Sequence, residues 1–518
     1  MTSLSPFQKR CVALKKLMPS KLERIRHLSF EKNISESEVS IWMRNVKSAR
    51  TYYSRSYDDA QSNDVFNFRS FHVLKVTLRK VSSSIGHLKS LRYLDLSHGS
   101  FKTLPESICK LWNLQILKLD DCFRFRKLPN NLIRLKALRH LSLNDCKRLS
   151  SLPPNIGKMI SLRTLSMYVV GKGGGFLLAE LGQLNFKIDR FHIKHLERVK
   201  SVEDAKEANM LSKKVNSLQL SWDEESPPQE NVEQILEVLQ PYPQQLQELC
   251  VYGYTGSHFP EWMSSPSLKH LRKLRLVHCK SCLLFQHLGK LPSLEVLELW
   301  YLPNLTRLSR EDGENMFPQL FNLEIRRCPN LLGLPCLPSL KALRIFFECS
   351  HDLLSSIHKL GSLESIDFAF IKELKCFPEG ILTNPTSLKK LEIEHCSELE
   401  IVDSGKLPSL EKLEIRGSSK IEGLGEDLQH LTSLQSLMLG ELPNLTSLPD
   451  SLGNLNSLQN LTIWSCQKLI CLPASIQSLS ALKILWIYDC HELEKRCKRE
   501  TGEDWPKISH IQNLKGMF

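Results

Sequence analysis

Two groups of residues in this sequence have types and spacings that could support chemistry. Gly171 and Lys172 follow the order of a phosphate-binding loop, which also needs a glycine five positions before the second glycine and a Ser or Thr after the lysine. Those two positions hold Ser166 and Gly173, so the pattern is incomplete. The signatures of zinc proteases, serine hydrolases and protein kinases do not occur in the sequence either. We therefore expect no catalytic residues, no cofactor and no enzyme activity.

The second group is the cysteines, of which the chain has 16. Cys279 and Cys282 form a C-x-x-C pair, but no second pair stands at zinc-site spacing, which favours a structural role. Seven cysteines each lie eight residues after the first Leu of a recurring motif: Cys122, Cys146, Cys279, Cys328, Cys396, Cys466 and Cys490. Neither disulfides nor metal ligands would be in phase with a repeat. We predict a buried column of reduced thiols and no metal site.

The recurring motif is L-x-x-L-x-L, and it must position every other feature of the chain. Clear copies begin at Leu91, Leu114, Leu138, Leu162, Leu388, Leu410, Leu434, Leu458 and Leu482. With Ile, Val, Phe or Met allowed in place of Leu, 19 copies start between Ile25 and Leu482, and the last four spacings are 22, 24, 24 and 24 residues. A period of about 20–29 residues with this motif is typical of a leucine-rich repeat solenoid.

Each repeat should contain one short strand and one return segment. The alternation of apolar and other residues in the motif predicts the strand. Proline cannot donate a ladder hydrogen bond, so the Leu-Pro pairs at 104–105, 128–129 and 152–153 belong on the return path. The predicted fold class is α/β: a leucine-rich repeat solenoid, shaped as a horseshoe or superhelix, with a parallel concave β-sheet and an irregular or helical convex side.

The regularity of the motif divides the chain into five segments. They are an irregular N-terminal segment with degenerate repeats (1–69), regular repeats (70–169), irregular repeats with convex helices and an acidic loop (170–245), regular repeats (246–493) and a C-terminal cap (494–518). Residues 33–66 are polar, and we expect them to be mainly loop with weak repeats.

Two helices are expected in the irregular middle segment. Residues 201–214 predict the first, because Ser201 and Asp204 have the spacing of a capping box. An apolar stripe at helical spacing predicts the second and consists of Val232, Ile235, Leu236 and Leu239. The acidic, proline-containing loop at 222–230 separates the two helices.

The formal net charge of +13 comes from Lys and Arg residues that are scattered rather than in one long run. Scattered charge is typical of a solvated surface, so we expect neither nucleic acid nor acidic lipid as a partner. The sequence contains no stretch of about 18 apolar residues, which is the length that a membrane span needs. The first 26 residues also lack the apolar core of a signal peptide. We expect a protein of the cytosol or the nucleus, where cysteines stay reduced.

The functional surface should consist of the variable positions around each strand, which face the concave side and stack from repeat to repeat. Aromatic residues and arginines at such positions are typical anchors of protein interfaces. The candidate protein-binding residues are Trp300, Tyr301, Arg326, Arg327, Arg344, Phe346, Phe347, Phe370, Trp464, Trp486 and Tyr488. Packing against neighbouring turns or the C-terminal cap is the alternative explanation for the aromatic residues.

Charged residues accompany these candidates in two groups. The basic group is Arg272, Lys273, Arg275, Arg326, Arg327, Lys341 and Arg344. The acidic group is Glu392, Glu394, Glu411 and Glu414. Groups of opposite sign can select a partner through charge complementarity, although ordinary solvation with ion pairs between neighbouring repeats would give the same pattern.

The sequence resembles the leucine-rich repeat region of plant intracellular immune receptors, the nucleotide-binding leucine-rich repeat (NLR) disease-resistance proteins of coiled-coil type. The resemblance rests on the order of several phrases, among them SSSIGHLKSLRYLDLS at 82–97, TLPESICKLWNLQILKLDDC at 103–122 and GEDWPKISHI at 502–511. It implies a cytosolic recognition module in plant defence that senses a pathogen effector and holds the receptor inactive. The implied partner is a pathogen effector, a guarded host protein or the nucleotide-binding domain of a receptor.

In that family a coiled-coil domain and a nucleotide-binding domain precede the repeats, and this sequence contains neither. The resemblance therefore implies recognition without the nucleotide switch. An intracellular scaffold or adaptor that regulates a signalling enzyme is the alternative function, with residues 1–20 as its candidate docking segment. An extracellular receptor ectodomain is disfavoured, because the sequence shows neither a signal peptide nor a membrane span.

Overall fold

The computed structural model describes residues 26–30, 48–54, 65–66, 68–173, 175–285, 288–308, 316–376, 387–400 and 407–516. The chain divides into two units, residues 1–246 and 247–518, and each unit is described by itself. Residues 1–25, which include Ile25 and the candidate docking segment, lie outside the described residues.

In the first unit the repeats form ten parallel strands among the described residues. They are β1 (His27–Phe30), β2 (Thr51–Ser54), β3 (Val73–Lys75), β4 (Tyr93–Asp95), β5 (Ile116–Lys118), β6 (His140–Ser142), β7 (Thr164–Leu165), β8 (Met167–Val169), β9 (Lys187–Lys194) and β10 (Lys214–Ser221). Strands β1–β7 pair in sequence order in one sheet, and β8, β9 and β10 pair in sequence order beyond it. The change of sheet falls at Ser166, whose buried hydroxyl accepts a hydrogen bond from the Leu143 N–H at 2.7 Å.

In the second unit twelve described strands also pair in parallel and in sequence order. They are β11 (Glu248–Tyr252), β12 (Lys273–Val277), β13 (Val296–Trp300), β14 (Asn322–Arg326), β15 (Ala342–Phe346), β16 (Ser365–Ala369), β17 (Lys390–Glu394), β18 (Lys412–Arg416), β19 (Ser436–Gly440), β20 (Asn460–Trp464), β21 (Ile484–Tyr488) and β22 (Asn513–Gly516). Each strand starts two residues after the first apolar residue of its repeat, except β22, which lies in the C-terminal tail.

The motif leucines form the core, as predicted. If the first apolar residue of a repeat is position 1, positions 1, 4 and 6 point inward, and positions 3, 5 and 7 point to the opposite face of the strand. In the repeat that begins at Leu434, for example, Leu434, Leu437 and Leu439 are fully buried, whereas Met438 between the last two is half-buried. The register places identical positions of neighbouring strands side by side, as with Leu413, Leu437 and Leu461.

The return path is built mainly from short 3-10 helices. They span Ser83–His87, Glu106–Lys110, Asn130–Arg134, Ile156–Lys158, Leu178–Gln183, Leu196–Arg198, Met210–Ser212, Glu261–Ser264, Leu288–Lys290, Ser356–Lys359, Glu426–His430, Asp450–Asn454 and Ala474–Ser478. Pro105 and Pro129 each stand immediately before one of these helices, outside the strand ladder, as the sequence predicted. There the lack of an N–H costs no ladder hydrogen bond.

The α-helices of the two units are short. They are α1 (Val202–Glu207), α2 (Val232–Val238), α3 (His351–Ser355), α4 (His491–Arg496) and α5 (Trp505–Ile508). The Ser201 hydroxyl caps α1 by accepting the Asp204 N–H at 3.2 Å. The prediction that this helix continues to Lys214 was wrong, because Asn209 takes a left-handed conformation with φ of 50° and Lys214 begins β10. The apolar stripe of the second helix is buried as expected.

One strand lies where the sequence predicted mainly loop. Strand β2 pairs with β1 and β3, and the inward side chains of its repeat are Ala49, Tyr52 and Ser54. These residues replace the usual aliphatic ones, so the motif is not recognisable in the sequence. Burial alone shows that they occupy core positions, with exposed fractions of 0%, 1% and 4%.

The cysteine column is buried as predicted, since all seven members have an exposed fraction of 0%. Some of the thiols donate to the preceding repeat: Cys122 Sγ lies 3.4 Å from the Leu96 carbonyl oxygen, and Cys146 Sγ lies 3.0 Å from that of Leu119. The thiols of Cys396, Cys466 and Cys490 instead donate to the carbonyl two residues earlier in their own repeat. Burial raises the pKa of the Cys122 and Cys146 thiols to about 12. Both therefore stay protonated and serve as small core side chains.

The C-terminal tail folds onto the last repeats around one buried carboxylate. Asp504 is fully buried, accepts the Leu472 N–H at 3.1 Å and lies 2.7 Å from Lys507 Nζ and 3.2 Å from an Arg496 nitrogen. Burial works against ionisation, but the hydrogen bonds from Arg496 and Lys507 outweigh it and hold the pKa of Asp504 below its usual value. The tail also ends in β22, which extends the sheet beside β21.

Replacing Leu437 with Asp should lower the free energy of unfolding by more than about 3 kcal/mol, because the substitution buries an unpaired charge in the core. We expect local unfolding of the adjacent repeats in a denaturation and hydrogen-exchange experiment. The control is Gln435→Asp, at an exposed position two residues earlier. Equal stability of the two variants would show that the assigned phase of the repeat is wrong.

Replacing Asp504 with Asn should cost about 2 kcal/mol of stability at pH 7, because it removes the charge that accepts hydrogen bonds from Leu472, Arg496 and Lys507. Since the folded-state pKa of Asp504 is lowered, its contribution is present above its unfolded pKa and is lost as the pH falls below about 4. Denaturation at pH 7 and pH 3 checks this, with Glu500→Gln as the control, because the Glu500 side chain is 79% exposed. A destabilisation by Asp504→Asn that is the same at both pH values would contradict it.

Candidate binding face of the second unit

The eleven candidate binding residues all lie in the second unit, in three rows. Position 7, at the end of the strand, holds Trp300, Arg326, Phe346, Trp464 and Tyr488. Position 5, in the middle of the strand, holds Arg344 and Trp486. Position 8 holds Tyr301, Arg327, Phe347 and Phe370, and these four follow the strand rather than belong to it.

The position-8 residues of six consecutive repeats adopt the left-handed conformation. This turn row consists of His278, Tyr301, Arg327, Phe347, Phe370 and His395, with φ between 51° and 67°. Left-handed backbone is uncommon for bulky residues, so something must hold it. Each N–H donates to the position-7 carbonyl of the next repeat, for instance Tyr301 to Arg326 at 2.8 Å and Phe370 to Glu394 at 2.8 Å. The turn therefore fixes the direction of the side chain that follows each strand.

The side chains of the turn row stack on one another. The ring centroids of His278 and Tyr301 lie 4.3 Å apart, with an angle of 10° between the ring planes. The corresponding values are 5.2 Å and 12° for Phe347 and Phe370, and 4.8 Å and 18° for Phe370 and His395. The guanidinium of Arg327 fills the remaining gap, 5.3 Å from the Tyr301 ring and 4.5 Å from the Phe347 ring. Together they form one continuous stack of rings and a cation.

A second arginine lies between rings one position earlier. The guanidinium of Arg326 lies 4.9 Å from the Trp300 ring and 4.4 Å from the Phe346 ring, and Arg275 covers Trp300 at 4.8 Å. Two arginines of one turn, Arg326 and Arg327, are thus each held between aromatic side chains of the neighbouring repeats. The stacking leaves both arginines partly exposed, with side-chain exposed fractions of 37% and 45%.

A separate aromatic cluster lies at the C-terminal repeats. The ring planes of Trp464 and Tyr488 are within 4° of parallel, and their centroids lie 6.2 Å apart. The ring centroid of Trp486 lies 5.2 Å from that of Tyr488. Gly440 makes room for this arrangement, because a Cβ atom there would lie 2.0 Å from Cε2 of Trp464. Trp486 and Tyr488 are exposed at 42% and 39%.

The basic and acidic groups of the sequence analysis largely pair with acids and cations of neighbouring strands. Lys273 Nζ lies 2.5 Å from Glu298, and Lys341 Nζ lies 2.9 Å from Glu364. Burial opposes ionisation of Glu298, but hydrogen bonds from Arg275 and Lys273 hold its pKa below the usual value. The charges of this face are therefore mostly matched within it, as the alternative interpretation of the sequence expected.

One group in the first unit has the residue types of a metal site. The ligand atoms of His195, Glu197 and Asp223 lie within 4.8 Å of one another. No sequence motif indicated this group, because Asp223 lies in the repeat after that of His195 and Glu197. Glu197 already accepts hydrogen bonds from His195 Nδ1 at 2.9 Å and from the Asp223 N–H at 3.0 Å, and Arg198 Nε lies 3.2 Å away. A metal cation there would have to compete with the Arg198 guanidinium for Glu197. The contacts of Glu197 therefore indicate a structural role, in which its carboxylate holds the turn together.

Family models match most of the chain. The model described as "Leucine-rich repeat region" matches residues 48–375. The chain belongs to the leucine-rich repeat family. A second model, "Plant disease resistance protein RPS2-like, leucine-rich repeats", matches residues 344–491 of the same repeats. Both the parallel strand-and-return architecture and these matches agree with the predicted α/β leucine-rich repeat solenoid.

Several curated relatives of these leucine-rich repeats are plant disease resistance proteins. "Disease resistance protein RGA2" of Solanum bulbocastanum is 36% identical over 45% of this chain and 25% of its own length. "Putative disease resistance RPP13-like protein 1" of Arabidopsis thaliana is 33% identical over 80% of this chain and 45% of its own length. The chain thus spans a quarter to just under half of these relatives, and the predicted resemblance to the repeats of resistance proteins is confirmed.

The solved structures that match the chain are more distant; the Leptospira interrogans LRR protein LIC12759, for example, is 17% identical with a TM-score of 0.34. The mouse RP105/MD-1 complex matches 91% of this chain and 79% of that chain at 15% identity with a TM-score of 0.45. Among the described residues, no helix has both the length and the apolar composition that crossing a membrane requires.

Replacing Gly440 with Ala should lower the free energy of unfolding by about 1–3 kcal/mol, because the added methyl group collides with the Trp464 ring. The cost should nearly vanish in a Trp464→Ala background, where the ring is absent. Chemical denaturation of the parent, both single variants and the double variant measures the coupling. An equal cost of Gly440→Ala in both backgrounds would contradict the packing of Trp464 on Gly440.

Proposed function

We propose that this chain is a non-enzymatic protein-recognition module in plant defence, which binds its partner through the outward face of the second unit. The observation that carries the proposal is the pair of arginine-centred stacks, Trp300–Arg326–Phe346 and the turn row around Arg327. The relatives named as disease resistance proteins supply the biological context.

The stacks have the physical properties of interface anchors. Aromatic residues and arginine contribute most of the binding energy at typical protein interfaces. A side chain already held between its neighbours loses little conformational entropy when a partner covers it. The guanidinium edges of Arg326 and Arg327 remain partly exposed, so they can donate hydrogen bonds to a partner while their faces contact rings. Such a surface favours a protein over a small molecule.

The proposal extends to the receptor context of the relatives. We propose that the partner is a pathogen effector, a guarded host protein or the nucleotide-binding domain of a receptor, and that binding takes place in the cytosol or the nucleus. Sensing an effector and holding a receptor inactive both need a rigid surface that distinguishes partners. The in-register rows of the second unit provide that surface through their fixed spacing of about 4.8 Å between neighbouring strands.

Changing Trp300, Phe346 or Trp464 to Ala should weaken binding of a protein partner by roughly tenfold or more, because each substitution removes an aromatic anchor. The partner is first selected by two-hybrid screening of the chain against pathogen secreted proteins and leaf proteins, and its affinity is then measured by calorimetry. The control is Trp112→Ala in the first unit, whose side chain is 73% exposed.

Unchanged melting temperatures would show that the variants fold. If all three folded variants bind a verified partner as tightly as the parent, the outward face of the second unit is not the recognition surface. If only Trp112→Ala weakens binding, recognition belongs to the first unit.

A further inference from the structure

The position-5 residues of seven consecutive repeats in the second unit are all charged. This central row consists of Arg275, Glu298, Glu324, Arg344, Asp367, Glu392 and Glu414, and the strand register places each beside the next. Five of the seven are acids, so the row needs cations from elsewhere to balance its charge. Positions 3 and 7, which flank position 5 on the same face, supply most of them.

Four of the five acids have a cation from a flanking position within hydrogen-bonding distance. Lys273 Nζ lies 2.5 Å from Glu298, Arg326 Nε lies 2.5 Å from Glu324, and Lys412 Nζ lies 2.7 Å from Glu392 and 3.1 Å from Glu414. Glu392 has a second partner in Lys390, at position 3 of its own strand, 2.8 Å away. The outward face thus carries an ion-pair network, called here the ion-pair lattice, in which a nearby cation neutralises each of these four acids.

Asp367 is the exception among the five acids. The flanking positions of its own strand hold Ser365 and Ala369, and neither can supply a charge. Its nearest cation among the described residues is Arg344 at 3.9 Å, which is itself divided between Asp367 and Glu324 at 3.8 Å. The Oδ1 atom of Asp367 is buried and has no hydrogen-bond partner. A buried carboxylate oxygen without a donor costs free energy that a suitable partner atom would recover.

The position-7 neighbour of Asp367 on its own strand is a small residue. In the position-7 row, Ala369 stands between Phe346 and Glu394, so one methyl group occupies a place where the neighbouring repeats carry large side chains. The aromatic ring of Phe346 is on one side and the carboxylate of Glu394 is on the other. Ala369 itself is buried, but the Asp367 side chain is 19% exposed, so a Lys or Arg side chain could reach its carboxylate from solvent with its stem along the Phe346 ring.

We propose that Asp367 is the anchoring point for a Lys or Arg side chain of the protein partner, which supplies the flanking cation that this acid of the central row lacks. The proposal rests on the proposed recognition function and specifies the chemistry of one partner residue. An organic cation fits better than a metal ion, because Glu392 and Glu394, the nearest other carboxylates, already pair with Lys390, Lys412 and Arg416.

The ionisation of Asp367 agrees with a missing cation. The pKa of Asp367 is raised to about 6, mainly because the carboxyl group is buried and secondly because the negative charges of Glu392 and Glu394 lie nearby. The charged groups that face it are Arg344 and Glu324 on the preceding strands and Lys390, Glu392 and Glu394 on the following strand. A bound cation would favour the ionised form, so binding should weaken as the pH falls from 7.5 to 5.0 and Asp367 becomes protonated.

The test uses three labelled decapeptides of alternating Gly with Lys, Gln or Glu, whose binding to the full chain is measured by fluorescence anisotropy at low salt. The Gly-Lys peptide should bind most tightly, although the chain carries a net charge of +13 that repels it. Asp367→Asn should weaken its binding at least fivefold and abolish the pH dependence. Asp427→Asn, which removes an exposed charge from the return path, should leave both unchanged.

A second variant supplies the flanking cation without any peptide. Ser365→Lys places a lysine at position 3 beside Asp367, as Lys390 stands beside Glu392, and should raise the midpoint of thermal unfolding by about 1–2 °C. The same variant should weaken binding of the Gly-Lys peptide, because Asp367 then already has its flanking cation. Asn460→Lys is the matched control, since the position-5 neighbours of that strand, Met438 and Thr462, carry no charge.

No preference for the Gly-Lys peptide, equal binding by Asp367→Asn, or a Ser365→Lys variant that changes neither stability nor binding would each overturn the proposal. None of these outcomes affects the recognition function, which the Trp300, Phe346 and Trp464 variants test separately. Conversely, loss of peptide binding by Asp367→Asn together with unchanged partner binding by the three aromatic variants would retain the cation site and reject the aromatic face.

Discussion

Parallel, in-register pairing of the strands is the constraint on which the rest of this structure depends. It places the same repeat position of neighbouring strands side by side, so a residue type that recurs in the motif becomes a row in space. Leucines at positions 1, 4 and 6 become the core, cysteines after the strand become a buried column, and variable residues at positions 5, 7 and 8 become the outward rows. For the same reason, one residue that departs from the pattern changes the surroundings of its neighbours in the row. Asp367 is an example, because its strand carries Ser365 and Ala369 at the positions where other strands carry a cation.

The turn after each strand determines which side chains line the surface beside the sheet. A left-handed residue at position 8 ends the strand and aims its side chain along the stack, and the hydrogen bond from its N–H to the next repeat offsets the unfavourable backbone. In the first unit the corresponding residues include Asp121 and Asp145, whereas the six members of the turn row are all aromatic or basic. The backbone of the two turns is similar, so the difference in surface chemistry comes from the side chains alone.

The sequence was sufficient to predict the fold, the core phase and the cysteine column, because these depend on residues that recur with the period. It failed where a repeat departs from the usual residue types. Strand β2 was missed because Ala49, Tyr52 and Ser54 occupy its core positions, and the first helix was predicted too long because the left-handed turn at Asn209 is invisible to apolar spacing. The position of Asp367 in the ion-pair lattice could not be read from the sequence either, because it depends on which residues of three strands face one another.

The central claim is that the outward face of the second unit is the recognition surface. Hydrogen exchange of the chain with a bound protein partner tests it most directly, because protection maps the covered backbone segment by segment. We expect protection of residues 294–301, 320–327, 340–347 and 363–370, which carry the arginine-centred stacks and Asp367. Protection confined to the return-path helices Glu426–His430 and Asp450–Asn454, with the strands exchanging as in the free chain, would contradict it.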